Sequence, residues 1–339
     1  MTNKNIGNDS ARSNLATGGD QKTQIVDGSG VVAGVTASNN LNASIEEIAA
    51  ALLTAASNQK MSIEEINTTL ATVDGNLKIA NAEDSLEIAK GNVTGTSFIH
   101  KFGNAGDFDA DDNDVTVWDC ADNATAIVTL MNAVYSATDD IDSISSTNAG
   151  DGQDIEIQGL DANYDLVIQT RTLQGLTRVA LSTDLIRVFR MKNVGATNNA
   201  GHVVCYVNGA DTTPADGVPD NNNLIRAVMQ PGNNQTLMAI YTVPNGCTAY
   251  LGGWYASISG ARKTSNYTID LLARPFGQVF QIKHKAALSD TGSSHIDHNY
   301  KEPEVFAAKT DIEIRVTAEA SGVSEASISA GFDIVLVND

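Results

Sequence analysis

Ten short runs rich in β-branched and aromatic residues, each closed by turn residues, leave this chain little to do but pair strands. From about Gly91 onward they follow one another as IEIQGL (155–160), LVIQTRTL (166–173), LIRVFRMK (185–192), HVVCYV (202–207), TLMAIYTV (236–243), TAYLGGWYASI (248–258), NYTIDLLA (266–273), QVFQIKHKA (278–286), DIEIRVTA (311–318) and FDIVLV (332–337). The breaks between them, such as DGQD, DANYD, PNG and SGAR, carry the Gly, Asn, Asp and Pro that turns require. No helix pattern interrupts the series. Many short strands without crossover helices pack as antiparallel sheets, so the expected body over 91–339 is a β-sandwich or jelly roll, with a division into two lobes near 193–200. The stretch ADTTPADGVPDNNN (210–223) reads as an exposed loop with turn chemistry.

The front of the chain has another character. Residues 1–40 are Asn, Ser, Thr, Gly and Asp with few large apolar side chains, too little to offset backbone entropy, and are expected to form a disordered docking arm that orders on a partner. Residues 41–90 are Ala-, Ile-, Leu- and Glu-rich without proline, a helix composition. The pentapeptide SIEEI stands at 44–48 and again at 62–66. In each copy a serine, Ser44 or Ser62, precedes an apolar residue, and Glu47 or Glu65 follows three places on; each is a capping box that satisfies free N–H groups at a helix start. Two capped helices are therefore expected, broken at SNQKM (57–61), although the spacing of eighteen also keeps both copies in phase on one unbroken helix.

The second helix carries Ile63, Ile66, Leu70, Val73, Leu77 and Ala80 at alternating three- and four-residue steps, the spacing of a coiled-coil seam over about two and a half heptads. Leu at two of three a positions, with Ile and Val at d, leans toward a trimer. An amphipathic helix packed on the β body accounts for the same pattern, and Gly75 weakens the coiled coil.

Composition narrows the function classes. Forty-one acidic against twenty-one basic residues give a formal charge of -20, which opposes the phosphate-neutralising surface that nucleic-acid binding needs. Between Ala105 and Asp165 fifteen acidic residues meet no Lys or Arg, so this stretch repels nucleic acid and anionic membranes alike. No apolar run approaches the roughly twenty residues that span a bilayer, and MTNKNIGNDSARS has no apolar export signal. Cys120, Cys205 and Cys247 are far apart and lack metal-ligand spacing; they read as buried thiols.

Candidates for chemistry are few. Asp107, Asp109 and Asp111 alternate as calcium-loop donors do, but the sixth and twelfth places hold Asp112 and Trp118 instead of the Gly and bidentate Glu of an EF-hand. They stand as candidates for a looser hard-cation site, against the competing reading of a solvated acidic loop, as do Asp211, Asp216 and Asp220. His295 and His298 would hold a transition metal only on a helix, and their Ser and Asn neighbours suggest a loop. The nucleophile-elbow, zincin, P-loop and dinucleotide motifs are all missing, and no cofactor is expected.

The blocks GNVTGTSFIHKFG (91–103), VWD (117–119), IEIQGLDANYDLVIQT (155–170), LIRVFRMKNV (185–194), PGNNQTLMAIYTVPNGCTAYL (231–251) and ISAGFDIVL (328–336) together resemble virion structural proteins of tailed bacteriophages, particularly marine ones. The resemblance covers about Leu77 to Asp339 in order, and within it VPNGCTAYL departs from the family's turn by placing Cys247 where a Lys is usual. It implies a non-enzymatic part of the particle, such as a head or neck fibre or a capsid decoration, with capsid, portal or neck proteins as partners. The expectation is a homotrimer with a helical stem, assembled in the host cytoplasm and anchored by its N-terminal region with the β body outward. The competing expectation is a carbohydrate-binding or glycan-cleaving module meeting a host-surface glycan, with Trp118, Trp254, Tyr250 and Tyr255 as its surface; core packing is the other fate open to these aromatics.

Overall fold

The computed structural model describes residues 25–26, 32–33, 82–108, 113–121, 132–209, 216–259, 266–289, 295–319 and 326–339. The chain divides into two units, Met1–Asp84 and Ser85–Asp339. In the first, β1 (Ile25–Val26) and β2 (Val32–Ala33) pair antiparallel, Ile25 opposite Ala33. Helix α1 (Ala82–Ala89) runs across the boundary. Its end follows from Gly91, whose φ of 76° suits a residue without Cβ: Gly91 N–H donates to Ile88 O and Asn92 N–H to Glu87 O, each at 2.9 Å, the paired bonds that close a helix. The two SIEEI copies and the whole expected seam lie outside the described residues.

The second unit is mainly β and antiparallel. Its strands are β3 (Thr96–Phe108), β4 (Val115–Thr116), β5 (Ile141–Ser146), β6 (Asp154–Leu160), β7 (Leu166–Thr172), β8 (Val179–Leu185), β9 (Arg187–Asn193), β10 (Val203–Val207), β11 (Ile225–Met229), β12 (Ile240–Thr242), β13 (Cys247–Ser259), β14 (Asn266–Arg274), β15 (Gln281–Ser289), β16 (His295–Phe306), β17 (Asp311–Ala318) and β18 (Ala326–Asn338). Two sheets, ordered β16-β13-β18-β3 and β12-β17-β14-β15 with β4 beside β17, draw on the two ends of this unit. Two others, β11-β10-β5-β8 and β7-β6-β9, come from the sequence between. The lobe boundary expected near 193–200 falls between β9 and β10, strands of different sheets.

Local sequence explains how these strands bury what they bury. In β13, Cys247, Ala249 and Leu251 face inward, and after a bulge between Leu251 and Gly253 the inward set becomes Trp254, Ala256 and Ile258. One extra residue shifts the period-two pattern by one, and the Gly252-Gly253 pair makes room for it. A side chain at Gly253 would bring its first carbon 2.8 Å from Asn299 Oδ1 on β16. At Gly103 in β3 that carbon would lie 2.1 Å from Val117 O and 2.4 Å from Ala239 N, so the backbones meet there only because the residue is glycine.

One continuous apolar cluster underlies the sheets, and Trp118, Trp254, Tyr206, Tyr241, Tyr267 and Phe332 are its largest fully buried members. β17 is buried on both faces. Ile312, Ile314 and Val316 pack into that cluster, while Asp311 and Glu313 on the opposite face are enclosed by cations. Asp311 accepts from Arg187 Nε at 2.8 Å, from Arg274 Nε at 3.0 Å and from the Thr242 hydroxyl at 2.6 Å. Glu313 is held by Arg315, Tyr135 and Thr116. Buried carboxylates survive only with such partners.

Candidate functional site

A cavity with converging polar groups lies where two sheet edges face each other without pairing. β3 ends one sheet and β9 ends another. Between them is a cavity of about 220 Å³, walled by Phe98 to Lys101 of β3, Phe189 and Arg190 of β9, Gln158 of β6 and Tyr241 of β12. Each edge strand sends a cation to the other's backbone: Arg190 Nη2 donates to His100 O at 3.2 Å, and Lys101 Nζ donates to Phe189 O.

Lys101 is buried, at 3% exposure, with its ammonium 5.8 Å from the centre of the Phe189 ring. Burial, reinforced by the neighbouring Arg190 charge, holds its pKa well below the ordinary lysine value. Gln158 is already engaged, donating to Glu156 Oε1 at 2.8 Å, and Phe98 leaves nearly half of its surface open.

Beside the cavity, three side chains on three adjacent strands form a chain of polar contacts. Asp333 Oδ1 of β18 lies 2.6 Å from His100 Nδ1 of β3, and His100 Nε2 lies 3.4 Å from the Tyr255 hydroxyl of β13. Cross-strand pairing of His100 with Asp333 sets the first contact. The order of acid, imidazole and hydroxyl is that of a nucleophile relay. However, burial and the Asp333 charge push the Tyr255 phenol up, so it stays protonated, and the outer contact is long. The array orients side chains on the sheet surface and supplies no activated nucleophile.

A second cluster joins the sheet edges at β15 and β16. The His284 and His298 rings sit 4.2 Å apart, with Tyr300 4.7 Å from His298 and Trp254 5.3 Å from His284. Lys283 pairs with Glu304 at 3.5 Å across the same two strands. His298 was expected in a loop with His295; both lie instead on β16, because the alternating pattern of HIDHNY suits an edge strand whose outer face is wet. His298 meets His284 from the neighbouring sheet, and the helix on which His295 and His298 could have shared a metal is not formed.

Of the cation candidates, Asp107 belongs to β3, and Asp109 and Asp111 lie outside the described residues, as does Asp211. Asp216 Oδ1 caps its own loop by accepting from Val218 N at 3.3 Å. Among the described residues no group of three or more His, Cys, Asp or Glu side chains is placed to share a metal ion. Ile63, Ile66, Leu70, Val73 and Leu77 lie outside the described residues. Trp118 and Trp254 are each 1% exposed and belong to the core, which removes them from any carbohydrate surface; Tyr250 is exposed at the edge of that class. Sequence reasoning missed Lys101 and Arg190. Lys101 sits at an inward position of a strand read only as part of a block, and a lysine between Phe98 and Gly103 was its available signal.

No protein-family model matches the chain, and no curated protein matches it. Solved structures that resemble it include the naturally occurring empty particle of cowpea mosaic virus, at 14% identity over 59% of this chain and 84% of that one, with a TM-score of 0.18. The infectious bursal disease virus Gx strain structure matches at 9% identity over 71% and 75%, TM-score 0.20. The VP2 subviral particle of infectious bursal disease virus matches at 8% over 72% and 76%, TM-score 0.18. Superpositions at these scores align too little backbone to carry an argument for fold or role. No helix among the described residues is long and apolar enough to cross a membrane.

Proposed function

We propose that the chain is a non-enzymatic structural protein of a tailed-bacteriophage virion, a trimeric fibre or decoration component. In this reading residues 1–40 dock to the capsid or neck, 41–90 form a helical stem, and a β-sandwich or jelly-roll body is displayed. The block resemblance across 91–336 supports it. The observation that carries it is an apolar surface out of keeping with a lone chain of charge -20: Phe276 (63%), Val279 (76%) and Ile282 (53%) stand exposed together at the β14–β15 turn. Val305 and Tyr250, which pair across β16 and β13, are also exposed. Exposed apolar side chains close together at a turn favour a surface that other copies or other subunits cover.

The test compares three chains for oligomeric state and for incorporation into particles: the full chain, one lacking residues 1–40, and Phe276→Asp/Val279→Asp/Ile282→Asp. The arm deletion is expected to stay folded and oligomeric but to leave the particle. The triple substitution is expected to stay folded and lose association through this edge. Normal occupancy of the shortened chain, or unchanged association of the substituted one, would remove the corresponding part of the reading.

A further inference from the structure

The geometry points to the cavity between the β3 and β9 edges as a binding site for a small organic carboxylate, held by Lys101 and Arg190 with Phe98 against its apolar part. This goes beyond the virion role and does not depend on it. In a chain of charge -20, Lys101 pairs with no carboxylate among the described residues, and Arg190 forms no ion pair within 4 Å among them, although its charge acts on Glu156. Each spends one N–H on a backbone carbonyl of the opposite strand, and an ammonium and a guanidinium have further donors to satisfy. A buried ammonium and a half-buried guanidinium beside an open volume of about 220 Å³ form a donor set that an anionic group would complete.

The charges around the cavity favour a monoanion, because Arg190 already acts on the Glu156 carboxylate and Lys101 is the cation left without one. The titratable and charged groups around Lys101 are Arg190 from β9, Glu156 of β6 behind Gln158, the Tyr241 phenol from β12, which burial keeps protonated, and the His100–Asp333 pair across β3 and β18. Burial and the Arg190 charge both oppose the ammonium while the cavity is empty. A carboxylate beside it favours the ammonium and raises its pKa. A phosphate dianion would bring a second charge that Arg190, already acting on the Glu156 carboxylate of β6, meets only in part. The exposed Phe98 ring gives a sugar or an aromatic ring a face to stack on.

The sign of the pH dependence follows. Lys101 has a low pKa when free and a higher one when bound, so binding takes up a proton between the two values, and affinity falls up to tenfold for each pH unit of rise within that window. Calorimetry on the full chain with glucuronate, benzoate and inorganic phosphate, in buffers of different ionisation enthalpy, reads both affinity and proton uptake. Saturable binding of a carboxylate with proton uptake, weakened at least tenfold in Lys101→Met and a few-fold in the more exposed Arg190→Gln, is the expected result. Preference for glucuronate would mark an acidic sugar as the source of the carboxylate, and preference for benzoate an aromatic acid. Thermal melts check that both variants stay folded, and Lys101→Met is expected to melt no lower than the parent. The assignment is overturned if neither carboxylate saturates, if phosphate binds as well as both, or if folded Lys101→Met binds as tightly as the parent.

Discussion

Arg187 Nε donates to Asp311 Oδ1 at 2.8 Å, joining the first residue of β9 to the first residue of β17 across 124 positions of sequence. Arg187 also donates to the carbonyls of Ser136 and Ile186, and Arg274 holds the other oxygen of Asp311 at 3.0 Å. The Tyr135 ring lies 5.1 Å from the Arg187 guanidinium and 4.5 Å from that of Arg274. Three strands from two sheets are thereby tied to one carboxylate. Asp311→Ala leaves two cations enclosed without their anion and is expected to destabilise the body by about 3–5 kcal/mol. Urea denaturation measures it, and a loss below about 1 kcal/mol would mean that solvent reaches the cluster.

The same cluster shows where sequence reasoning reached its end. DIEIRVTA was legible as a strand to the residue, and Asp311–Ala318 is what forms. Its alternation reads as apolar inside and charged outside, yet Asp311 and Glu313 are buried against arginines that lie far away in sequence. Period two fixes which residues share a face; it says nothing about whether solvent or a second layer covers that face. The reverse holds for β16, whose charges and Pro303 hid an edge strand, and for β8, whose VALSTDL alternates weakly because half of it faces water. TLMAIYTV forms only three residues of strand, Ile240–Thr242, because Leu237 and Met238 instead meet the segment around Trp118. The cavity of Lys101 and Arg190 was invisible for the same reason as the arginine cluster: it is made by two strand edges brought together by the fold.

Glycine at position 103 carries a specific requirement. Gly103→Ala places a methyl group within 2.1 Å of Val117 O, and two backbone segments must move to admit it. The expected loss is about 1–3 kcal/mol or more, read as a lowered denaturation midpoint with an unchanged slope. Gly232→Ala is a useful comparison, since nothing lies within 4 Å there, although its φ of 80° strains any side chain. The Gly103 variant is expected to be the less stable of the two; equal losses would point to backbone conformation alone.

All three cysteines are free and buried. Burial pushes the Cys205 thiol up to about 12 and raises Cys120 and Cys247 as well, with Asp119 and Asp339 adding to the effect. A thiol that keeps its proton is a poor nucleophile. Native protein at neutral pH is therefore expected to react with a thiol-specific disulfide reagent only at the rate of its opening, and all three thiols to react at once in urea. Rapid stoichiometric labelling of any thiol in the native state would contradict the packing described for it.

Burial, with the His298 ring beside it, holds His284 below the ordinary histidine value of 6.5. A base whose folded pKa is depressed takes its proton more readily when unfolded. Its neutral form is fully accommodated above pH 6.5, and stability falls as pH drops below 6.5 until the folded pKa is passed. Urea midpoints measured between about pH 7.5 and about pH 5.5 should decline more steeply for the parent than for His284→Gln. Equal slopes would show that the pair does not sense protonation.

Imaging decides the particle role most directly. A label fused after Asp339, followed by cryo-electron microscopy of gradient-purified phage particles, should place density at regular sites on the head or neck, in a fixed copy number retained through washing. Particles without label, with the full-length chain recovered in the soluble fraction of the lysate, would contradict a virion structural role.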